Sequence, residues 1–145
     1  MVAAGHDEVP DNAAPHPYQR AVPINLKTIG GNYLMLDIGK GRYVLYAHLK
    51  PGSLRVKQGD RVRRGQVIAR LGLSGNTPSP HLHLGDTLEP IGSEGLPYVY
   101  ESFEVVGECP APPEMWGWYR ACSFAKPDPR RREIPLAWKL IRFPE

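Results

Sequence analysis

The chain has 145 residues, 41% of them apolar, with fifteen glycines and sixteen prolines; this suits one domain with its own core, rich in turns and short strands and poor in helix. Eighteen basic and fifteen acidic residues leave a formal net charge of +3, too little to indicate a nucleic-acid partner without a concentrated basic patch and interleaved aromatics. No run approaches the roughly twenty apolar residues of a membrane-spanning helix, and Met1-Val2-Ala3-Ala4-Gly5 has neither the basic region nor the apolar stretch of a secretory signal.

Residues 1–23 read as an irregular leading segment, because Pro10, Pro15, Pro17 and Pro23 interrupt a helix and remove donors that a central strand needs. Residues 24–107 read as the core. Within it, residues 32–38 and 42–49 are rich in aromatic and branched side chains and flank Gly39-Lys40-Gly41, which predicts a β-hairpin. Residues 53–71 alternate apolar and charged positions around Gly59-Asp60 and Gly65-Gln66, which predicts two or three very short strands between tight turns. Arg55, Lys57, Arg61, Arg63, Arg64 and Arg70 fall between the apolar positions and read as the wet face of a half-buried sheet, with a docking surface for an anionic polymer as the second reading. Residues 73–80 read as a mobile polar loop, the sort of rim that borders a binding site. Residues 92–103 read as a turn and an aromatic strand packed on the sheet. Residues 108–145 read as a proline-rich and basic appendage, closing on one edge strand. Cys109 and Cys122 match no short zinc pattern and read as two unpaired thiols, or as a disulfide if the protein is exported.

Three histidines stand out. In an extended segment His81 and His83 project from one face, their backbones about 7 Å apart, while Leu82 and Leu84 point the other way toward the core. Such a pair can hold a metal with one ring and reach a metal-bound water with the other. By the same alternation His48 ends a strand on the face shared by Val44 and Tyr46, and a third imidazole facing the pair would complete a constellation.

The ordered motifs Tyr46-Ala47-His48-Leu49, Val56-x-x-Gly59-Asp60-x-Val62-x-x-Gly65-Gln66-x-Ile68, Leu71-Gly72-x-Ser74-Gly75 and Pro80-His81-Leu82-His83-Leu84 closely resemble those of lysostaphin/LytM-type metallopeptidases. The resemblance covers residues 30–84. It implies an all-β, mainly antiparallel fold of the duplicated-hybrid-motif type, a sandwich or barrel-like sheet with irregular extensions at both ends. It also implies one Zn2+ ion, with His83 as a metal ligand and His48 and His81 as catalytic residues, and a peptide or peptidoglycan substrate met outside the cytoplasm. A zinc ion with an open position lowers the pKa of its water toward about 7, and a nearby histidine then orients or deprotonates that water.

One departure follows. The family's other two zinc ligands lie in a His-x-x-x-Asp motif upstream of the hairpin, and the chain has none. Residues 2–9 look like the segment that follows this motif, so the chain is expected to start too late to include it. His6 with Asp7, or His16, are poor substitutes, because neighbours on an extended chain face opposite ways. Two further readings stand beside the peptidase: a non-catalytic relative of the same fold that binds cell-wall peptide or a partner enzyme, and a carrier-like module, which the Gly-Asp and Gly-Gln turns would suit but for which no acceptor-lysine hairpin is present.

Overall fold

The hairpin forms where alternation places it. In a computed structural model that describes residues 1–13, 19–87, 95–109 and 122–144, β2 (Asn32–Gly39) pairs antiparallel with β3 (Arg42–Leu49). The two residues between them, Lys40 and Gly41, have φ of 57° and 69°, the left-handed pair whose twist matches that of the strands it joins. Leu34, Leu36 and Leu49 meet Val2 in the core, and Val44, Tyr46, Leu54, Val56, Val62, Ile68 and Ala69 pack against this cluster. These residues belong to the first of two units, Met1–Leu96, the second being Pro97–Glu145.

The leading segment differs from the irregular reading. Val2–His6 forms β1, antiparallel to β2, and Val2 is fully buried. The prolines that argued against order all lie beyond this stretch, and β1 sits at a sheet edge, where few ladder bonds are demanded of it. β4 (His83–Thr87) pairs with β3, and β5 (Gly95–Leu96) with β4, giving a five-stranded antiparallel sheet in the order β1-β2-β3-β4-β5.

Residues 53–71 contain no strand, contrary to the short strands expected, although the turns are where they were placed. Both turns are built alike. Asp60 N–H donates to Lys57 O (3.0 Å) while Lys57 N–H donates to Asp60 Oδ2 (2.9 Å), and Gln66 N–H donates to Arg63 O (3.1 Å) while Arg63 N–H donates to Gln66 Oε1 (3.0 Å). The side chain closing each turn uses the donor that a ladder would need, so the runs stay extended and are joined by single bonds such as Arg55 N–H to Ile68 O (2.9 Å).

In the second unit β6 (Tyr100–Glu108) lies between β7 (Ser123–Glu133) and β8 (Lys139–Arg142), both antiparallel to it. Arg142 donates to Glu104 Oε2 from Nε (2.8 Å) and Nη2 (2.6 Å), and Lys139 pairs with Glu108, each across the β6–β8 seam. Tyr100 packs edge-on against Phe103 and Phe143. The boundary expected at 107/108 thus falls earlier, because β6 takes its partners from the residues that follow it; residues 92–94 of the expected turn lie outside the described residues. Cys109 and Cys122 form a disulfide, which corrects the reading as two thiols. Glu108 pairs with Ser123 in register, so the strand ends bring the two sulfurs together, and spacing in sequence carries no trace of that.

Candidate active site

The three histidines converge. The His48 ring lies 4.8 Å, centroid to centroid, from that of His81 and 5.8 Å from that of His83. Strict alternation would have prevented this. Tyr46 is paired with Leu84 and Ala47 with His83, so His83 shares the face of Ala47, while a regular strand would put His48 on the opposite face with Val44 and Tyr46, which pack on the core. The strand is not regular. From Asn32↔Leu49 to Leu34↔Tyr46, β2 advances two residues and β3 three, and within this bulge His48 has φ of 61°. A bulge with one residue in the left-handed region reverses the side-chain alternation locally, and a non-glycine residue held there costs about 1–3 kcal/mol, which the surroundings must supply. The expectation that His48 shares a face with Val44 and Tyr46 is therefore corrected, and the correction is what assembles the site.

Those surroundings are a buried polar clasp. His48 N–H donates to Gly30 O (2.9 Å), and His48 O accepts from Gly72 N–H (3.1 Å). Ser74 Oγ donates to Leu49 O (2.7 Å) and accepts from Asn32 N–H (2.9 Å). The Asn32 amide bonds Val9 N–H, Val9 O and Leu49 O, and the Asn12 amide bonds Gly75 O, Thr77 O and Ala21 N–H. Ser74, Thr77 and Asn32 have no exposed surface at all. Residues 73–75 and Thr77 are thus an inner wall, not the mobile rim their polarity suggested, and of this stretch Asn76 alone is exposed. Sequence reasoning missed Asn12, Asn32, Ser74 and Thr77 as positioning residues; the signal available was the Gly72-x-Ser74-Gly75 motif, whose small residues permit close approach of two backbones.

The clasp also sets the protons. His48 Nδ1 lies 2.8 Å from Ser74 O, and His81 Nδ1 lies 3.0 Å from Ser79 O and 2.9 Å from Thr77 Oγ1, whose hydroxyl donates to Ser79 O (2.6 Å). A carbonyl only accepts, so each Nδ1 carries hydrogen and each Nε2 keeps its lone pair when the ring is neutral. Burial pushes the His48 pKa below its ordinary 6.5; the Ser74 carbonyl pulls it up, and the neighbouring His81 and His83 rings push it down, leaving a net lowering. His81 and His83 are exposed. Leu82, expected to point into the core, is 45% exposed because β4 starts only at His83, whereas Leu84 is half-buried opposite Tyr46.

The profile of peptidase family M23 matches residues 21–88, a stretch that includes all three histidines, Asn32, Ser74 and Thr77. Residues 21–88 thus resemble peptidase family M23. Two relatives are peptidoglycan DD-endopeptidases of Vibrio cholerae serotype O1: ShyB, 34% identical over 64 residues, covering 44% of this chain and 15% of that protein, and ShyA, 45% identical over 56 residues, covering 37% and 12%. The match thus spans less than a sixth of either relative's length. No solved structure matches the chain.

Peptidases of family M23 are generally metal-dependent. Among the described residues no group of three or more His, Cys, Asp or Glu side chains is placed to hold a metal ion. The His6 ring packs near Tyr33, and Asp7 Oδ2 accepts from Leu54 N–H (3.1 Å); neither is drawn to the three histidines by these contacts, and His16 lies outside the described residues. The M23 segment described here does not by itself complete a zinc site.

The His48 pKa has a consequence for stability without metal. As pH falls through about 6.5, the unfolded chain takes up a proton at this ring while the folded chain resists it, so stability is full above that value and declines below it, down to the folded pKa. Urea denaturation from about pH 8 to about pH 5 should show a steeper loss for the wild type than for His48→Asn, since asparagine tolerates the left-handed backbone but does not titrate. Parallel slopes would show that the ring is not protected from protons by its burial.

Proposed function

We propose that the M23 segment is the histidine-bearing part of a zinc metalloendopeptidase domain that hydrolyses peptide bonds in peptidoglycan cross-bridges or stems. The observation that carries this reading is the convergence of His48, His81 and His83 through a strained bulge, a cost that a merely structural histidine would not call for. The peptidoglycan DD-endopeptidase relatives supply the substrate class. In this reading His83 is a metal ligand, and the remaining ligands belong to the His-x-x-x-Asp motif that the sequence lacks. When bound, the metal supplies an activated water. The chain's own part is to present the Nε2 lone pairs of His48 and His81, one to take the proton of the attacking water and one, once protonated, to donate to the oxyanion. Work outside the cytoplasm agrees with the disulfide, which persists in oxidising compartments.

One second reading is a non-catalytic relative that binds cell-wall peptide through the same face, in keeping with the described residues, among which no three such donors gather. Elemental analysis of the full-length protein, together with mass spectrometry of peptidoglycan incubated with it, separates the two. One zinc per chain and cleaved cross-links, both lost in His83→Ala, are expected. Retention on peptidoglycan with neither zinc nor product would establish the binding relative instead.

A further inference from the structure

Seven of residues 50–70 are basic and only Asp60 is acidic, and Asp60 Oδ2 already accepts from Lys57 N–H. Three of the seven gather. Lys50, Arg55 and Arg70 line a pocket of about 250 Å³ together with Pro51, Gly52, Ser53 and Leu54. None of these three side chains makes a hydrogen bond or ion pair with a described residue. Asp7 is the carboxylate bonded to the pocket's backbone, through Leu54 N–H, and the lining itself carries three cationic side chains and no anionic one.

The backbone of the pocket indicates which anion it suits. Every peptide N–H of its lining residues is already spent: Lys50 on Arg70 O, Gly52 on Asp7 O, Ser53 on Lys50 O, Arg55 on Ile68 O, Leu54 on Asp7 Oδ2 and Arg70 on Ser53 Oγ, while Pro51 has none. A phosphate cradle built from peptide donors is therefore absent from this lining. What remains is two guanidinium groups and an ammonium, side-chain donors whose paired N–H groups match the two oxygens of a carboxylate as they would those of another oxyanion. The pocket is also tied to the histidines. Lys50 follows His48 by two residues; Lys50 N–H donates to Arg70 O (2.9 Å), Leu49 bridges Leu71, and Gly72 N–H donates to His48 O (3.1 Å).

We propose that the Lys50–Arg55–Arg70 pocket is an anion subsite of this domain that takes a carboxylate of the peptide substrate. The assignment to a substrate, and with it the choice of a carboxylate, rests on the peptidase reading above; the anion subsite itself rests on the pocket. A fluorescent pentapeptide bearing free carboxylates and its fully amidated analogue would be titrated against the full-length protein in a metal chelator, so that binding is read without turnover. The free acid should bind about tenfold more tightly, and the double substitution Arg55→Ala with Arg70→Ala should bring it to the affinity of the amide. Replacing both with lysine should restore part of the difference. Equal affinity of acid and amide for the wild type overturns the proposal, as does inorganic phosphate displacing the acid more effectively than acetate at equal ionic strength. An arginine-dependent preference in a protein that fails to digest peptidoglycan would leave the anion subsite standing while the peptidase reading falls. Digestion without any preference would do the reverse.

Discussion

His81→Ala should lower the rate of peptide hydrolysis by the full-length protein about 10²- to 10⁴-fold, the usual worth of a positioned general acid or base, while leaving metal content at the wild-type level. Its ring is exposed and is held by Thr77 and Ser79 beside the His48 ring, so the melting temperature should move little. Thr77→Val probes the same ring from behind. It removes the hydroxyl that lies 2.9 Å from Nδ1 and so lets the imidazole turn, and kcat should fall with KM nearly unchanged. A His81→Ala protein with wild-type kcat would show that His48 alone handles the proton, and the division of labour proposed for the two rings would have to be abandoned.

Gly75→Ala should be the most damaging single-methyl change in the first unit, costing more than about 3 kcal/mol. Gly75 has φ of 80°, and a Cβ built there would stand 2.7 Å from Gly31 Cα and 2.8 Å from Ile29 O. These are backbone atoms and cannot rotate away. Gly31, with φ of 62°, meets Ser74 from the other side in the same fashion, so the two chains approach through a contact that admits no side chain on either. Ser74→Ala should cost less, about 1–3 kcal/mol, by leaving Asn32 N–H buried without a partner and Leu49 O with the Asn32 amide alone. Urea unfolding measures both, and a Gly75→Ala variant of wild-type midpoint would mean that the clasp can open without loss.

Local pattern carried the hairpin, because period-two alternation and a Lys40-Gly41 turn are short-range facts. Motif order singled out His48, His81 and His83, the three rings that the fold brings together. Local pattern failed where one residue changed hand. No periodicity announces the bulge at His48, and the side chain that completes the site is the one that alternation sent to the wrong face. Residues 73–77 failed for another reason: Ser74 and Thr77 are polar because they satisfy buried backbone, and composition cannot separate that from polarity that meets water. Counting prolines over residues 1–23 as a block hid the proline-free Val2–His6, whose pairing with β2 depends on residues some thirty positions away. The disulfide is likewise a product of the β6–β7 register, which spacing alone does not disclose.

The bond between Cys109 and Cys122 spans thirteen positions, and the strands on either side of it are paired at their ends. A protease cutting anywhere between the two half-cystines would therefore leave both fragments covalently joined. The clipped molecule would migrate as one species on a denaturing gel until a reductant was added, so nicking of this arm would pass unnoticed in any preparation examined without thiol.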